Sequence, residues 1–224
     1  MKALLFDLDG TLIDSMPLHH NAWVEWHARR GSVMHADLSF AKTAGRSNAE
    51  ILLDLYPEHS VEEHALMADA KEAIYREFAT RSLALIAGAQ EFVAQARAAG
   101  CKLAVCTAAT LPNMALAFER HGIDAWVDAI TSPADGLRGK PHPDIFLEAA
   151  KRLGIAPEHC VVFEDAPLGV EGARRAGMKA VALTTTLAAE AFAEFDNLIA
   201  IAPDFTRLAL HELQRAHQEA QQDA

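Results

Sequence analysis

The 224-residue sequence has few cysteines, no long apolar run and fewer basic than acidic side chains. Its three cysteines, Cys101, Cys106 and Cys160, lack the CxxC spacing of a redox or zinc site and form no disulfide framework. No stretch reaches the roughly 18 consecutive apolar residues of a membrane-spanning helix. The apolar run that opens the chain ends at Asp7, which is too early for a signal peptide. We therefore expect a cytoplasmic protein that has no membrane partner.

Positive charge is also scarce. The chain has 20 lysines and arginines against 31 aspartates and glutamates, and its net charge is −11. The negative electrostatic potential of such a protein repels nucleic acid and anionic membrane surfaces. The hydrophobic content of 51% is enough to bury a substantial core. These properties indicate a stable globular protein with no nucleic-acid partner.

A helix, a glycine and a short β-prone run follow one another three times along the chain. The three units are Glu91–Ala99, Gly100 and Lys102–Cys106; Asp144–Leu153, Gly154 and Cys160–Phe163; and Gly169–Ala176, Gly177 and Lys179–Leu183. Glycine is the usual residue that ends a helix, and an apolar run is typical of a strand covered on both faces. With an opening strand at Ala3–Phe6, the pattern predicts an α/β fold with a doubly wound, Rossmann-like parallel sheet.

The stretch between the first and second predicted strands has a different pattern. From about Ser15 to Leu85 its apolar residues recur at helical spacing, and it shows little strand signal. We expect a helical cap domain over residues 15–84, inserted into a core catalytic domain formed by residues 1–14 and 85–224. Such a cap would cover the strand ends and exclude water during a reaction.

Polar residues follow the predicted strands at the edge where ligands gather in parallel sheets. They are Asp7-Leu8-Asp9-Gly10-Thr11, Thr107-Ala108-Ala109 and Glu164-Asp165, and Lys140-Pro141 opens a later predicted helix. Four carboxylates at one edge repel one another unless a hard cation lies among them. Since the set offers oxygen ligands without histidine or cysteine, it favours Mg²⁺. Mg²⁺ would bind a substrate phosphate oxygen while Lys140 and Thr107 bind others, which fits phosphoryl transfer.

The spacing of Asp7 and Asp9 suits two different tasks. Residues i and i+2 on an extended chain project to the same side, so both carboxylates can reach one phosphate. One must be ionised to attack phosphorus, and the other needs a proton for the leaving oxygen. Gly10 relaxes the turn that follows.

These four motifs, in this order, resemble those of the haloacid dehalogenase superfamily, in the branch of β-phosphoglucomutase and small sugar-phosphate phosphatases. The resemblance covers about residues 1 to 185. It implies that Asp7 forms an aspartyl phosphate and that Asp9 is the general acid and then the general base. It also implies phosphate binding by Thr107, Ala108 and Lys140. The implied Mg²⁺ ligands are Asp7, the Asp9 backbone carbonyl, Glu164 and Asp165.

The predicted cap holds three further candidates for substrate binding, each with a structural alternative. His19 resembles a histidine near the hinge of β-phosphoglucomutases, although a histidine on an amphipathic helix is often a packing residue. Arg46 lies in a Gly-Arg-Ser-Asn sequence that resembles a cap loop, but the mutase has an apolar residue before its serine and the arginine after it. Lys71, one turn before Tyr75, resembles a substrate-facing lysine or is a helix-surface charge.

The core residues also have structural alternatives. Asp165 precedes a predicted helix and could be its N-cap, Lys140 could be a solvated loop lysine, and Thr107 a strand-end hydroxyl. The function we expect is hydrolysis of a small sugar or polyol monophosphate. Thr11 favours the phosphatase function over the mutase function, because β-phosphoglucomutases commonly have an apolar residue at this position. The alternatives are β-phosphoglucomutase activity and a non-catalytic sensor of a phosphorylated metabolite.

Overall fold

The computed structural model describes residues 1–34 and 43–222. Its centre is a six-stranded parallel sheet with the strand order β3-β2-β1-β4-β5-β6. The strands are β1 (Ala3–Phe6), β2 (Lys102–Cys106), β3 (Ala129–Thr131), β4 (Cys160–Glu164), β5 (Lys179–Leu183) and β6 (Leu198–Ala202). The main helices are α1 (Met16–Arg29), α2 (Asn48–Leu55), α3 (Val61–Ser82), α4 (Ala89–Ala98), α5 (Leu111–His121), α6 (Asp144–Leu153), α7 (Pro167–Arg175) and α8 (Leu210–Gln222). The predicted fold class, a doubly wound α/β core with helices inserted after β1, is confirmed.

Both faces of the sheet are buried, and β1 shows why its sequence is apolar throughout. Leu4 and Phe6 belong to one hydrophobic cluster, which includes residues of α4 and α8. Ala3 and Leu5 belong to a second cluster, which includes residues of α6 and α7. Because alternate residues of a strand face opposite sides, a strand with helices on both sides has no position for an exposed polar residue.

The two edge strands were missing from the sequence prediction. β3 has only three residues, two of them half-buried. Most of β6 is half-buried or exposed, and its pairing with β5 shifts register between Ala180 and Val181. Short, partly exposed strands do not produce the continuous apolar run by which the central strands were recognised.

Helices α1, α2 and α3 follow β1 and have clear start signals. Pro17 lies in the first turn of α1. Ser47 and Ser60 begin α2 and α3 with capping boxes, in which each serine is paired with a glutamate three residues on. The buried apolar side chains of these helices, such as Trp23, belong to the same hydrophobic cluster as Leu4 and Phe6. The helices thus share a continuous apolar core with one face of the sheet.

Two adjacent connections join these helices to the sheet. Ile13 forms an antiparallel bridge with Leu85. The Asp14 amide donates to the Ala84 carbonyl at 2.9 Å, and the Ile86 amide donates to the Leu12 carbonyl at 3.0 Å. The outgoing and returning chains therefore run side by side at one point.

The predicted cap, residues 15–84, includes residues 35–42, which lie outside the described residues, and its boundaries stay a prediction. Within residues 1–34 and 43–222, no helix is both long and apolar enough to cross a membrane. Cys101, Cys106 and Cys160 are buried and free.

Candidate active site

The carboxyl ends of β1, β2 and β4 meet at one edge of the sheet. Asp7 directly follows β1, Thr107 follows β2, and β4 ends at Glu164 with Asp165 next. β1 lies between β2 and β4 in the sheet, which makes these residues neighbours. Lys140 reaches the same place from the loop before α6. We call the group Asp7, Lys140, Glu164 and Asp165 the sheet side of the site.

The sheet side is buried and dominated by carboxylates. One oxygen each from Asp7, Glu164 and Asp165 lies within 4.8 Å of the others. Lys140 Nζ lies 2.5 Å from Asp7 Oδ1 and 2.5 Å from Glu164 Oε1. Glu164 Oε2 has no hydrogen-bond partner within the described part of the chain. Two of the three carboxylates thus share one ammonium group, and a buried oxygen of Glu164 is left unsatisfied.

Burial and mutual repulsion shift the pKa values of this group. Burial raises the pKa of Glu164 to about 8 and that of Asp165 to about 7, and the neighbouring Asp7 carboxylate adds to both. Burial also raises the pKa of Asp7, although Lys140 opposes this. Burial alone would lower the pKa of Lys140, but Asp7 and Glu164 raise it. Lys140 therefore stays charged, while the carboxylates lack enough positive charge to be ionised together.

The sheet side fits a divalent cation with oxygen ligands. It offers three converging carboxylates, a surplus of negative charge and an unsatisfied buried oxygen on Glu164. Two glycines make the room: a methyl group at position 169 would collide with the Glu164 carboxylate, and one at position 10 with the Asp165 carboxylate. Gly10 also has φ +76, which other residues rarely adopt. Asp7, Glu164 and Asp165 are thus the residues that could hold Mg²⁺.

A second polar group faces the sheet side from the helices. We call His19, Asn48, Lys71, Glu72 and Asn113 the helix side. Lys71 Nζ lies 2.7 Å from His19 Nδ1 and 2.9 Å from Glu72 Oε1. Glu72 also accepts from Asn48 Nδ2 at 2.5 Å and from Asn113 Nδ2 at 2.6 Å. These side chains satisfy one another.

Asp9 lies between the two sides. Ser15 Oγ donates to Asp9 Oδ1 at 2.7 Å, and His19 Nε2 lies 3.5 Å from the same oxygen. Burial alone would raise the pKa of Asp9, but the hydrogen bonds from His19 and Ser15 lower it. Asp9 is therefore held in its ionised form.

Both sides line one cavity of about 300 Å³. Asp7, Lys140, Glu164 and Asp165 line one part, and His19, Arg46, Lys71 and Glu72 line another. The volume lies at the lower end of the range for small-molecule sites. The cavity thus joins a carboxylate cluster that could hold a cation to a polar wall that could contact the rest of a substrate.

Comparison with known proteins agrees with this geometry. A family profile described as haloacid dehalogenase-like hydrolase matches residues 1–177. The chain belongs to this family. A relative, validoxylamine A 7'-phosphate phosphatase of Streptomyces hygroscopicus subsp. limoneus, is 35% identical over 88% of this chain and 92% of its own length. Hexitol phosphatase A of Escherichia coli K12 is 33% identical over 81% of this chain and 82% of its own length.

The fold of this haloacid dehalogenase-like hydrolase is also similar to a solved structure. A HAD hydrolase, family IA, variant 3, from Entamoeba histolytica superposes with a TM-score of 0.88. It has 28% sequence identity, and the match covers 97% of this chain and 100% of that structure. The family predicted from the four motifs is confirmed.

The hydrolase brings most of the predicted site residues to the cavity. Asp7, Asp9, His19, Arg46, Lys71, Ala108, Lys140, Glu164 and Asp165 line it. Thr107 is buried at the end of β2, where its Oγ1 accepts a hydrogen bond from the Ala109 amide at 2.9 Å. Asp9 adds no side-chain oxygen to the carboxylate cluster, so its predicted contribution of a backbone carbonyl to Mg²⁺ stays a prediction.

Three structural alternatives are wrong. Lys71 is 2% exposed and so is not a helix-surface charge, because its ammonium lies between His19 and Glu72. Lys140 is 5% exposed and is not a solvated loop lysine. Asp165 is not the N-cap of α7, since Ala166 has that position. The Asp165 carboxylate instead accepts hydrogen bonds from Thr11, at 3.4 Å, and from Thr186.

The guanidinium group of Arg46 does not point only into the cavity, because it is hydrogen-bonded to residues of α2. Its Nη2 donates to Asp54 Oδ2 at 2.6 Å and to the Glu50 carbonyl at 3.1 Å. It nevertheless lines the cavity. The arginine is thus held against α2 while it borders the site.

Sequence reasoning missed Glu72, Asn113 and Thr186. Asn113 lies on α5 and meets Glu72 of α3 across 41 positions of sequence. Thr186 follows β5 and meets Asp165. Glu72 had one signal, its position next to the candidate Lys71. The other two residues have no local pattern that distinguishes them from ordinary surface residues.

Proposed function

We propose that this hydrolase is an Mg²⁺-dependent phosphatase of small sugar or polyol monophosphates that acts through an aspartyl phosphate on Asp7. The observation that carries the proposal is the sheet side itself: Asp7, beside Lys140, in a buried carboxylate cluster that opens into a small cavity. The names of two relatives, a hexitol phosphatase and a validoxylamine 7'-phosphate phosphatase, support both the reaction and a polyhydroxylated substrate.

In the first step the Asp7 carboxylate attacks phosphorus, and the bond from phosphorus to the leaving oxygen breaks. Asp9, which is ionised in the protein alone, takes up a proton as the phosphate ester binds and gives it to that oxygen, which leaves as the alcohol. Lys140 lies 2.5 Å from Asp7 and can bind a phosphate oxygen there. Bound Mg²⁺, held by Asp7, Glu164 and Asp165, would supply positive charge that lets phosphate approach these carboxylates.

In the second step Asp9 takes a proton from water, whose oxygen attacks the phosphorus of the aspartyl phosphate. The bond to the Asp7 oxygen breaks, and inorganic phosphate leaves. The hydrogen bonds from Ser15 and His19 lower the pKa of Asp9 and favour the anion that accepts this proton. The buried, free cysteines fit a reducing compartment, and we propose that the enzyme acts in the cytoplasm.

Phosphate release from a panel of phosphorylated sugars and polyols, assayed with Mg²⁺, tests the proposal. We expect turnover that chelation of the metal abolishes. Asp7→Asn should lower kcat by roughly 10³-fold or more, because an amide does not attack phosphorus. Asp14→Asn, at an exposed carboxylate seven residues on, is the matched control and should leave kcat within about twofold.

Two results would overturn the proposal. If Asp7→Asn keeps a tenth of the wild-type kcat, which is a loss of only about 1.4 kcal/mol, the covalent mechanism is wrong. If β-glucose 1-phosphate with a trace of the 1,6-bisphosphate gives glucose 6-phosphate much faster than inorganic phosphate, the enzyme is a mutase. Absence of any metal-dependent turnover, including that of an aryl phosphate, would favour the sensor.

A further inference from the structure

The cationic side chains that line the described part of the cavity are each paired with an acid. They are Arg46, Lys71 and Lys140. Arg46 pairs with Asp54 at 2.6 Å, and Lys71 pairs with Glu72 at 2.9 Å. Lys140 pairs with Asp7 and Glu164. Whereas Mg²⁺ can offset the acids around Lys140, Glu72 on the helix side is offset by Lys71 and by His19, whose Nδ1 lies 4.0 Å from Glu72 Oε1.

Glu72 is the residue that sets the charge of the helix side. Its side chain is 7% exposed, and its two oxygens accept hydrogen bonds from Lys71, Asn48 and Asn113. Burial alone would raise the pKa of Glu72, but Lys71 and His19 lower it to about 2. The carboxylate is therefore ionised throughout the physiological pH range.

The consequence for a substrate depends on its leaving group. Once the phosphate to be transferred lies at the sheet side, the rest of the molecule points toward His19, Lys71 and Glu72. Uncharged hydroxyl groups can exchange hydrogen bonds with the amides, imidazole and carboxylate there. A second phosphate would meet a buried carboxylate whose neighbouring ammonium is already paired, and like charges in a buried site repel strongly.

We propose that Glu72 is a specificity-determining residue, which neutralises Lys71 so that the site accepts phosphates of uncharged polyhydroxyl compounds and rejects those with a second anionic group. The proposal rests on the proposed phosphatase function and assigns a role to Glu72 within it. Specificity of this kind comes from a repulsive element as much as from an attractive one.

Glu72 also contacts Asn113, and a purely structural role of this contact predicts a different result from the role in specificity. Asn113 of α5 donates to Glu72, and its Oδ1 accepts from Arg76 Nη1 at 3.1 Å. Two residues one turn apart on α3 thus hold one amide of α5. Loss of this contact would affect the turnover of all substrates alike, whereas loss of the Glu72 charge would change their ratio.

The test compares kcat/KM for a hexitol monophosphate with kcat/KM for a hexose bisphosphate. We expect the wild type to prefer the monophosphate, and Glu72→Gln to lower this preference about tenfold or more, because the variant lacks the buried carboxylate that repels the second phosphate. Glu77→Gln removes the same charge from an exposed position of α3. Arg76→Ala weakens the contact with Asn113. Both controls should keep the wild-type preference within about twofold.

A measurement on the wild type alone keeps the proposal testable if Glu72→Gln does not fold. The bisphosphate should inhibit monophosphate hydrolysis with a Ki at least about tenfold above the KM of the monophosphate. A Ki equal to or below that KM would overturn the proposal.

The remaining outcomes separate this proposal from the proposed function. If the wild type releases phosphate from monophosphates but Glu72→Gln keeps the wild-type preference, the role of Glu72 is wrong and the phosphatase stands. If the wild type releases phosphate from no ester in the presence of Mg²⁺, the proposed function fails and this proposal fails with it.

Discussion

The sheet side and the helix side are both buried clusters of charged groups, but they compensate their charges in opposite ways. At the sheet side, Asp7 and Glu164 share Lys140, Asp165 has no ion-pair partner among the described residues, and Glu164 Oε2 is unsatisfied there too. At the helix side, Glu72 has an ammonium and two amides as donors. The first cluster is incomplete without a cation, whereas the second is complete within the chain.

This difference separates two ways to build a polar site in a protein interior. An unsatisfied carboxylate cluster costs stability but binds a metal and a phosphate strongly when they arrive. A satisfied network costs less and keeps its geometry, so it can discriminate among leaving groups without being reorganised. The predictions below test this comparison, from the largest expected effect to the smallest.

Replacing the two lysines by methionine compares the two sides directly. In the absence of metal, Lys140→Met should lower the free energy of unfolding by about 3–5 kcal/mol, because it leaves buried carboxylates with no cation. Lys71→Met should lower it by only about 1–3 kcal/mol, since Glu72 keeps two amide donors. Urea unfolding measures both. Mg²⁺ should reduce the deficit of Lys140→Met and not that of Lys71→Met, and equal losses with equal responses to Mg²⁺ would contradict the comparison.

His217 of α8 lies outside both sides of the site and is a third kind of buried ionisable group. Its imidazole ring has no charge to compensate, because it stays neutral in the folded protein. Its ring is fully buried, and burial lowers its pKa to about 4. The unfolded chain binds a proton at this residue near pH 6.5 and the folded protein only near pH 4. The free energy of unfolding should therefore fall as pH drops from about 6.5 to 4, with His217 contributing roughly 1–3 kcal/mol.

Denaturant unfolding across this pH range tests the contribution of His217. The variant His217→Phe should show a flatter pH dependence than the wild type, while His211→Phe, at an exposed position of the same helix, should follow the wild type. Parallel curves for the wild type and His217→Phe would show that the ring does not titrate as its burial implies.

Asp165→Asn tests whether the sheet side carries more negative charge than Lys140 can offset. Thr11 and Thr186 donate to different oxygens of Asp165, so the amide keeps an acceptor for one hydroxyl and offers an NH2 donor to the other, while it removes one negative charge. The metal-free variant should be more stable than the metal-free wild type by about 1 kcal/mol, and it should bind Mg²⁺ at least about tenfold more weakly. Thermal melts over a Mg²⁺ titration measure both effects. A metal-free variant that melts below the wild type would give Asp165 a structural role instead.

The smallest effect is expected at Arg46, on the rim of the cavity. Arg46→Ala should raise KM for a hexitol phosphate by roughly threefold to tenfold and leave KM for a small aryl phosphate unchanged, because the aryl group lacks the remote hydroxyls. Arg81→Ala, at an exposed position of α3, serves as the control. Equal effects of Arg46→Ala on both substrates would show that its pairing with Asp54 is its main role.

The sheet side could be predicted from the sequence because its three carboxylates follow recognisable strands and Lys140 lies just before a recognisable helix. β1 and β4 are continuous apolar runs, and a parallel sheet brings their carboxyl ends together. The sequence alone therefore places Asp7 and Asp165, 158 positions apart, at one edge of the sheet. It also predicts the cation, because such a set of carboxylates repels itself.

The helix side was only partly predicted, because tertiary packing alone brings its members together. His19, Lys71 and Glu72 lie on two helices, and nothing in the sequence sets the rotation of α1 against α3. Asn113 contributes from α5 of the core, where it follows a predicted strand but has no motif of its own. Burial of Lys71 between aromatic rings could not be distinguished from surface exposure, since a lysine among charged helix residues fits both.

The position of β1 in the sheet has a consequence for biosynthesis. β1 pairs with β2 through Ala3 and Lys102, and with β4 through Ala3 and Cys160. β1 is thus synthesised well before β4, its second neighbour, since 157 positions separate Ala3 from Cys160. Pairs so distant in sequence form slowly.

A nascent chain that stops before Cys160 would lack β4 and would expose one edge of β1, an apolar strand, to other chains. Such fragments should aggregate, or be retained by chaperones, more readily than the complete protein. They would also lack Glu164 and Asp165, so Asp7 and Lys140 would be present without two of the three carboxylates that could hold a metal. This carboxylate cluster therefore cannot assemble until β4 and Asp165 have been synthesised.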